Sequence, residues 1–172
     1  MAKLRMKDGY TVQAVDIAEA RSIVVNLAQL YLHDMAEWFR FDQREDGRYG
    51  DMTEYLMAGE EDVYLLYAAE IPVGFGIVGS ADQWLPATVN GHDMDEFFVV
   101  RRHRRAGVGA AFAQDLWERY PGPWLVRVFQ PNLPAIPFWR NTISRYSQGA
   151  FEEVVHEKNG FPWSHFSFDV VT

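Results

Sequence analysis

The chain has 172 residues, 48% of them hydrophobic and 15% aromatic, with a formal net charge of −8. Such a chain can bury a core as one domain over 1–172, which excludes extensive disorder. The lack of cysteine excludes disulfides, a thiol nucleophile and thiolate metal sites. No apolar run approaches the roughly 20 residues that cross a bilayer, and the N-terminus MAKLRMKDGYTV has no apolar segment of a secretory signal. An acidic chain also lacks the broad basic face of a nucleic-acid binder. The expectation is a cytoplasmic protein with no membrane or nucleic-acid partner, and a homodimer is left open.

In chain order, YTVQA at 10–14 alternates as a first strand. Asp16 then precedes Glu19 by three residues, an aspartate form of the capping box. Val24, Ala28, Tyr31, Met35 and Trp38 follow at four-three spacing, with Leu27 and Leu30 widening the stripe, so a helix is expected over 16–39. Residues 41–50 read as a loop, and Asp51 and Glu54 cap a short helix ending at Gly59. Residues 63–69 and 73–78 form a hairpin about Glu70-Ile71-Pro72. A loop covers 80–91 and a strand 94–100. Phe112, Ala113, Leu116, Trp117 and Tyr120 mark a helix stopped by Pro121-Gly122-Pro123. The strand 124–129 should then lie parallel to 94–100 through a right-handed crossover. Asn132 can cap a helix over 133–147 in which Pro137 forces a kink or a late start. Strands at 151–157 and 163–170 flank Lys158-Asn159-Gly160.

Four of the 16 basic residues fall within 101–105, between the apolar FFVV at 97–100 and the helix that begins after AGVG at 106–109. Strand, basic glycine turn and helix start together suit a phosphate. The first helical turn carries unpaired N–H groups and the positive end of the macrodipole, and glycine lets an anion approach the backbone. A solvated charged loop is the plain alternative. A Walker loop is not matched. A dinucleotide fingerprint fails at its third glycine, where Phe112 stands, and at its acid, near Arg127.

Arg104-x-x-Gly107-x-Gly109 resembles the R/Q-x-x-G-x-G/A signature of the GNAT superfamily of acetyl-CoA-dependent N-acetyltransferases. Asn132-x-x-Ala135-Ile136-x-Phe138-Trp139 is similar to that family's N-x-x-A-x-x-x-Y segment, and the order of elements also looks like the family's. HDMAEW and FWRNTI are similar to a bacterial subgroup of acetyltransferases known only by prediction. The resemblance implies an α/β fold with a mostly antiparallel twisted sheet, one parallel βαβ pair and about four helices. It implies acetyl-CoA as co-substrate, no metal, and an amine acceptor. Arg104, Arg105, Ala106, Gly107, Val108, Gly109 and Ala110 would cradle the pyrophosphate, mostly by backbone N–H. Phe97, Phe98 and Val99 would present strand backbone to the pantetheine and thioester, and Asn132 would touch the pantetheine arm. The chain departs from the family at Trp139, where a tyrosine usually protonates the leaving thiolate; an indole is a donor only and no acid at neutral pH. A base position of some relatives falls on Arg127.

Direct transfer needs a base to take the proton of the acceptor ammonium. Glu96 is the first candidate and Asp93 the second, with Asp95 between them; neighbours on a strand face opposite ways and a bulge can exchange them. A solvated acidic strand start is the alternative reading. Tyr31, Asp34 and Glu37 share a helix flank, so Asp34 is expected to meet the charge of a small-molecule amine while Tyr31 covers its apolar part. His33 and Glu37 read as a surface pair. The functional expectation is an N-acetyltransferase; the alternative is an acyl-CoA-binding, sensor or interaction domain without turnover.

Overall fold

The computed structural model of the chain describes residues 4–5, 9–50, 61–82, 84 and 90–171. The short helix expected at 51–59 lies outside them. The chain divides into two compact units, one of Met1–Ile77 with Glu96–Gly109 and one of Val78–Asp95 with Ala110–Thr172.

In the first unit, β1 (Leu4–Arg5) and β2 (Tyr10–Val15) pair antiparallel, and β2 pairs antiparallel with β3 (Asp62–Ala68). Hydrogen-bonded neighbours run β1-β2-β3-β4-β5, where β4 is Ile71–Ser80 and β5 is His92–Val99; this unit holds β4 up to Ile77 and β5 from Glu96. The β3–β4 turn is tighter than the sequence suggests. Ala69 takes a left-handed φ of 54°, so Ile71 and Pro72 belong to β4 rather than to the turn. Helix α1 (Ile17–Phe39) starts where Asp16 Oδ1 accepts the Ala18 N–H at 2.8 Å, and ends on a left-handed Arg40. Its Ala20, Val24 and Leu27 pack on Val63, Leu65, Phe75, Ile77 and Phe98. Leu30 does not widen this stripe; it is 49% exposed, because at 3.6 residues per turn it lies roughly 90° from the centre of the face formed by Ala20, Val24, Leu27 and Tyr31.

In the second unit, β6 (Gly122–Phe129) lies parallel to β5, Met94 opposite Val126. The order continues β5-β6-β8-β7, with β7 (Phe151–Lys158) and β8 (Phe161–Val170) antiparallel. The Asn159-Gly160 turn has positive φ at both residues, 56° and 78°, as two-residue hairpins require. Helix α2 (Val108–Arg119) has Phe112, Ala113, Leu116 and Trp117 fully buried, each large side chain contributing about 1.5–3 kcal/mol. The strand after it begins earlier than expected, at Gly122, whose φ of 119° reverses the chain inside the Pro-Gly-Pro stop.

Helix α3 (Ala135–Tyr146) starts late, which places Pro137 in its first turn, where no N–H is missed. Asn132 is not its cap: Pro134 stands there, and Asn132 contributes its carbonyl to the Ala135 N–H at 3.0 Å. Three α-helices are seen among the described residues, against about four expected, and none is long and apolar enough to cross a membrane.

Candidate active site

The end of β5 is buried and closely packed. Phe98 and Val99 are 5% and 6% exposed, and the Val100 N–H donates to Val73 O at 2.8 Å. Gly74 of β4 makes room for this: a Cβ there would stand 2.5 Å from Phe98 O and 3.3 Å from Val99 Cα. Glu96, two residues before Phe98, accepts a hydrogen bond from the Tyr31 hydroxyl of α1. The Tyr31 ring stands edge-on to Phe75 and Phe98, at centroid distances of 5.8 and 5.9 Å. The first candidate base and an expected acceptor residue are thus direct partners.

Beyond Val100 the chain makes one 3₁₀ turn, Arg101–His103. Arg104 turns back. Its Nε donates to Val99 O at 2.6 Å, its Nη2 to Asp34 Oδ2 at 2.6 Å, and its guanidinium stands 5.2 Å from the Phe98 ring centroid. Arg101 Nη2 donates to Asp34 Oδ1 at 2.8 Å. Both oxygens of Asp34 therefore face arginines of the basic turn, and its charge is already matched. Asp34, expected from its helix flank to meet an amine, is thus engaged by two arginines of its own chain. The Arg104 side chain is likewise engaged within the protein, and the Val99 carbonyl with it. His103 Nδ1 shares a 3.0 Å hydrogen bond with the Tyr10 hydroxyl, which ties β2 to the same turn.

Arg105 and Gly107 then take φ of 67° and 77°. These left-handed steps bring the exposed Arg105, Ala106 and Gly107 to the start of α2. By helix geometry the N–H groups from Gly107 to Ala110 have no partner four residues back. Val108 is buried and anchors the turn. An anion placed there would meet backbone N–H groups and the helix dipole, next to the exposed Arg105 in the chain.

In the second unit Asp93 is 2% exposed. Arg127 Nε donates to Asp93 Oδ2 at 2.9 Å and Nη2 to Asp95 Oδ1 at 2.7 Å, so both carboxylates bind one guanidinium. Burial pushes the Asp93 carboxyl up to about 6, and the contact with Arg127 opposes that rise. Asp93 Oδ1 has no hydrogen-bond partner. Arg127 also lies over the Trp84 ring at 4.1 Å, and Lys158 Nζ lies 3.2 Å from that ring's centroid. His165 packs on Trp84 and on His156, and burial with three nearby cationic groups lowers it to about 4. Trp139 is 7% exposed and packs near Trp117 and Phe138. Asn132 is half-buried.

Sequence reasoning did not find the Asp93–Arg127–Asp95 group or the arginines on Asp34. The first had a local signal, a lone arginine inside the apolar strand WLVRVF. The second had none, since Asp34 and its partners are 67 and 70 residues apart. Among the described residues no group of three or more His, Asp or Glu side chains is arranged to hold a metal.

A strand that ends in a basic glycine turn and feeds a helix, with a parallel strand following, is an arrangement that suits a phosphate-bearing ligand. A model of the acetyltransferase (GNAT) family matches residues 27–142, more than half of the chain, and the protein belongs to that family. It is an acyltransferase. No curated protein matches the sequence. Solved structures share the fold at low identity. Spermidine N-acetyltransferase from Vibrio cholerae, solved with CoA and spermine, is 11% identical with a TM-score of 0.62, covering 95% of this chain and 96% of that one. The Salmonella typhimurium enzyme that modifies the N-terminal serine of ribosomal protein L7/L12 is 10% identical, TM-score 0.62, covering 96% and 97%. A GNAT acetyltransferase from Elizabethkingia anophelis with acetyl-CoA bound is 10% identical, TM-score 0.59, covering 95% and 100%.

Proposed function

We propose that the protein transfers an acetyl group from acetyl-CoA to a primary amine of a small-molecule acceptor in the cytoplasm. The observation that carries this reading is the turn after β5, where left-handed Arg105 and Gly107 deliver the chain to the first turn of α2. The backbone of residues 105–110 would hold the pyrophosphate. Phe97, Phe98 and Val99 would supply strand backbone to the pantetheine and thioester, and Asn132 a contact to the pantetheine arm. Arg104 would act from behind, as a strut between Asp34 and the Val99 carbonyl, rather than as a phosphate ligand.

Glu96 is the proposed base. What favours it over Asp93 is pairing: Asp93 and Asp95 share the Arg127 guanidinium, whereas Glu96 meets the neutral hydroxyl of Tyr31. Glu96 takes a proton from the acceptor ammonium. The amine nitrogen then attacks the thioester carbonyl carbon, a backbone N–H stabilises the oxyanion, the carbon–sulfur bond breaks to release CoA thiolate, and the proton still in excess on the nitrogen passes to that thiolate, leaving the amide and CoA thiol. Tyr31 borders the acceptor, and the solved spermidine enzyme shows that the same fold can serve a small polyamine.

The experiment is thioester turnover, followed by thiol release, against a panel of primary amines. Amine-dependent release supports the reading. One observation favours a second reading, an acyl-CoA-binding or sensor domain: Trp139 stands where a proton-donating tyrosine would be. Tight acetyl-CoA binding without release on any amine would favour that alternative.

A further inference from the structure

Tyr31 was read from its helix flank as an acceptor contact, yet its best-defined partner is a carboxylate of its own chain. Two rings fix where its phenol oxygen lies. Phe75 is fully buried and Phe98 nearly so; they stand 5.8 Å apart, and Tyr31 meets both edge-on. A phenol so held delivers its hydroxyl to Glu96 Oε2. A glutamate on a strand otherwise samples several rotamers, and fixing it costs entropy that this contact offsets. The hydrogen bond also favours the ionised carboxylate over the neutral acid, because the hydroxyl donates to charge.

We propose that Tyr31 is the positioning residue of the base, holding Glu96 ionised and in one orientation; this rests on the reading of Glu96 as base. Two carboxylates near the pair in the chain are matched. Asp34, one turn along α1, is neutralised by Arg101 and Arg104, and Asp95, the chain neighbour of Glu96, pairs with Arg127. Tyr67 of β3, packed on the same core cluster, is raised above the ordinary tyrosine range by burial and by Glu70, and is neutral at working pH.

The test is the pH–rate profile of Tyr31→Phe, which keeps the ring and its packing and removes only the hydroxyl. Losing the donor raises the Glu96 carboxyl, so the acid limb should move up by about one pH unit and kcat on that limb fall about tenfold. Acetyl-CoA affinity and thermal midpoint should stay near wild type. Added to Glu96→Gln, Tyr31→Phe should cause little further loss. An acid limb that stays in place, with only the acceptor KM raised, overturns the proposal and returns Tyr31 to acceptor contact. The Glu96 reading is tested apart from this, since Glu96→Gln should remove the limb whatever Tyr31 does. A Glu96→Gln enzyme with a wild-type limb would defeat that reading instead.

Discussion

Asp34 Oδ2 and Arg104 Nη2 lie 2.6 Å apart, and Arg101 holds the other oxygen of the same carboxylate at 2.8 Å. Asp34 is only 12% exposed in its side chain, so the pair is better shielded than an ordinary surface bridge. It joins α1 to the turn proposed to hold the pyrophosphate. Asp34→Asn should therefore weaken acetyl-CoA more than the acceptor. A charge-assisted contact of about 1–2 kcal/mol corresponds to roughly 5- to 30-fold in KM for acetyl-CoA. Steady-state kinetics with both substrates varied checks it; a rise confined to the acceptor KM would restore the direct amine contact.

Gly74 allows β4 and the end of β5 to approach. Since a Cβ would sit 2.5 Å from Phe98 O and backbone cannot move aside cheaply, Gly74→Ala should destabilise the protein by about 1–3 kcal/mol. A lowered urea midpoint with an unchanged slope would show it. A midpoint equal to wild type would mean that the strands part without cost.

Asp93 and His165 should pull stability in opposite directions over the same pH range. Asp93 is raised from 3.8 to about 6 by burial, so the native state binds a proton that the unfolded chain has released. Its contribution is full below 3.8 and is lost as pH rises through about 6. His165 is lowered from 6.5 to about 4, so its contribution is present above 6.5 and lost as pH falls through about 4. The stability difference between wild type and Asp93→Asn should thus fall as pH rises from about 4 to 6. That between wild type and His165→Asn should rise across about 4 to 6.5. Denaturation series at several pH values read both, and two flat differences would refute the opposed pair.

Trp139 is buried among aromatic side chains, and its indole cannot serve as an acid near neutral pH. Trp139→Phe should leave the alkaline limb of the pH–rate profile where it is. A limb that moves with this substitution would place the ring in the proton path.

What the sequence discloses is what short stretches decide. The Asp16 cap, the Asn159-Gly160 turn and the late start forced by Pro137 all follow from neighbouring residues, and each is found. Asn132 shows the limit: a good capping residue was displaced because Pro134 and the Phe129 carbonyl, which takes the Asn132 N–H at 2.9 Å, bend the chain before the helix starts. The site is harder to read. Tyr31 and Glu96 were each singled out from helix flank and strand position, but their pairing spans 65 residues. The pairing of Asp34 with two arginines was not legible either, because periodicity tells which flank a carboxylate occupies and not what charge faces it.

The central claim is that the turn at 105–110 binds acetyl-CoA through backbone N–H groups at the start of α2. Gly109 lies in the first turn of that helix, so Gly109→Glu would put bulk and negative charge against the pyrophosphate. Calorimetric titration of acetyl-CoA into wild type and Gly109→Glu is the direct measurement, with thermal melting to confirm that the variant is folded. Binding should be seen in the wild type, weaken with added salt because arginines flank the turn, and vanish in the variant. Wild-type affinity in a folded Gly109→Glu protein would contradict the claim.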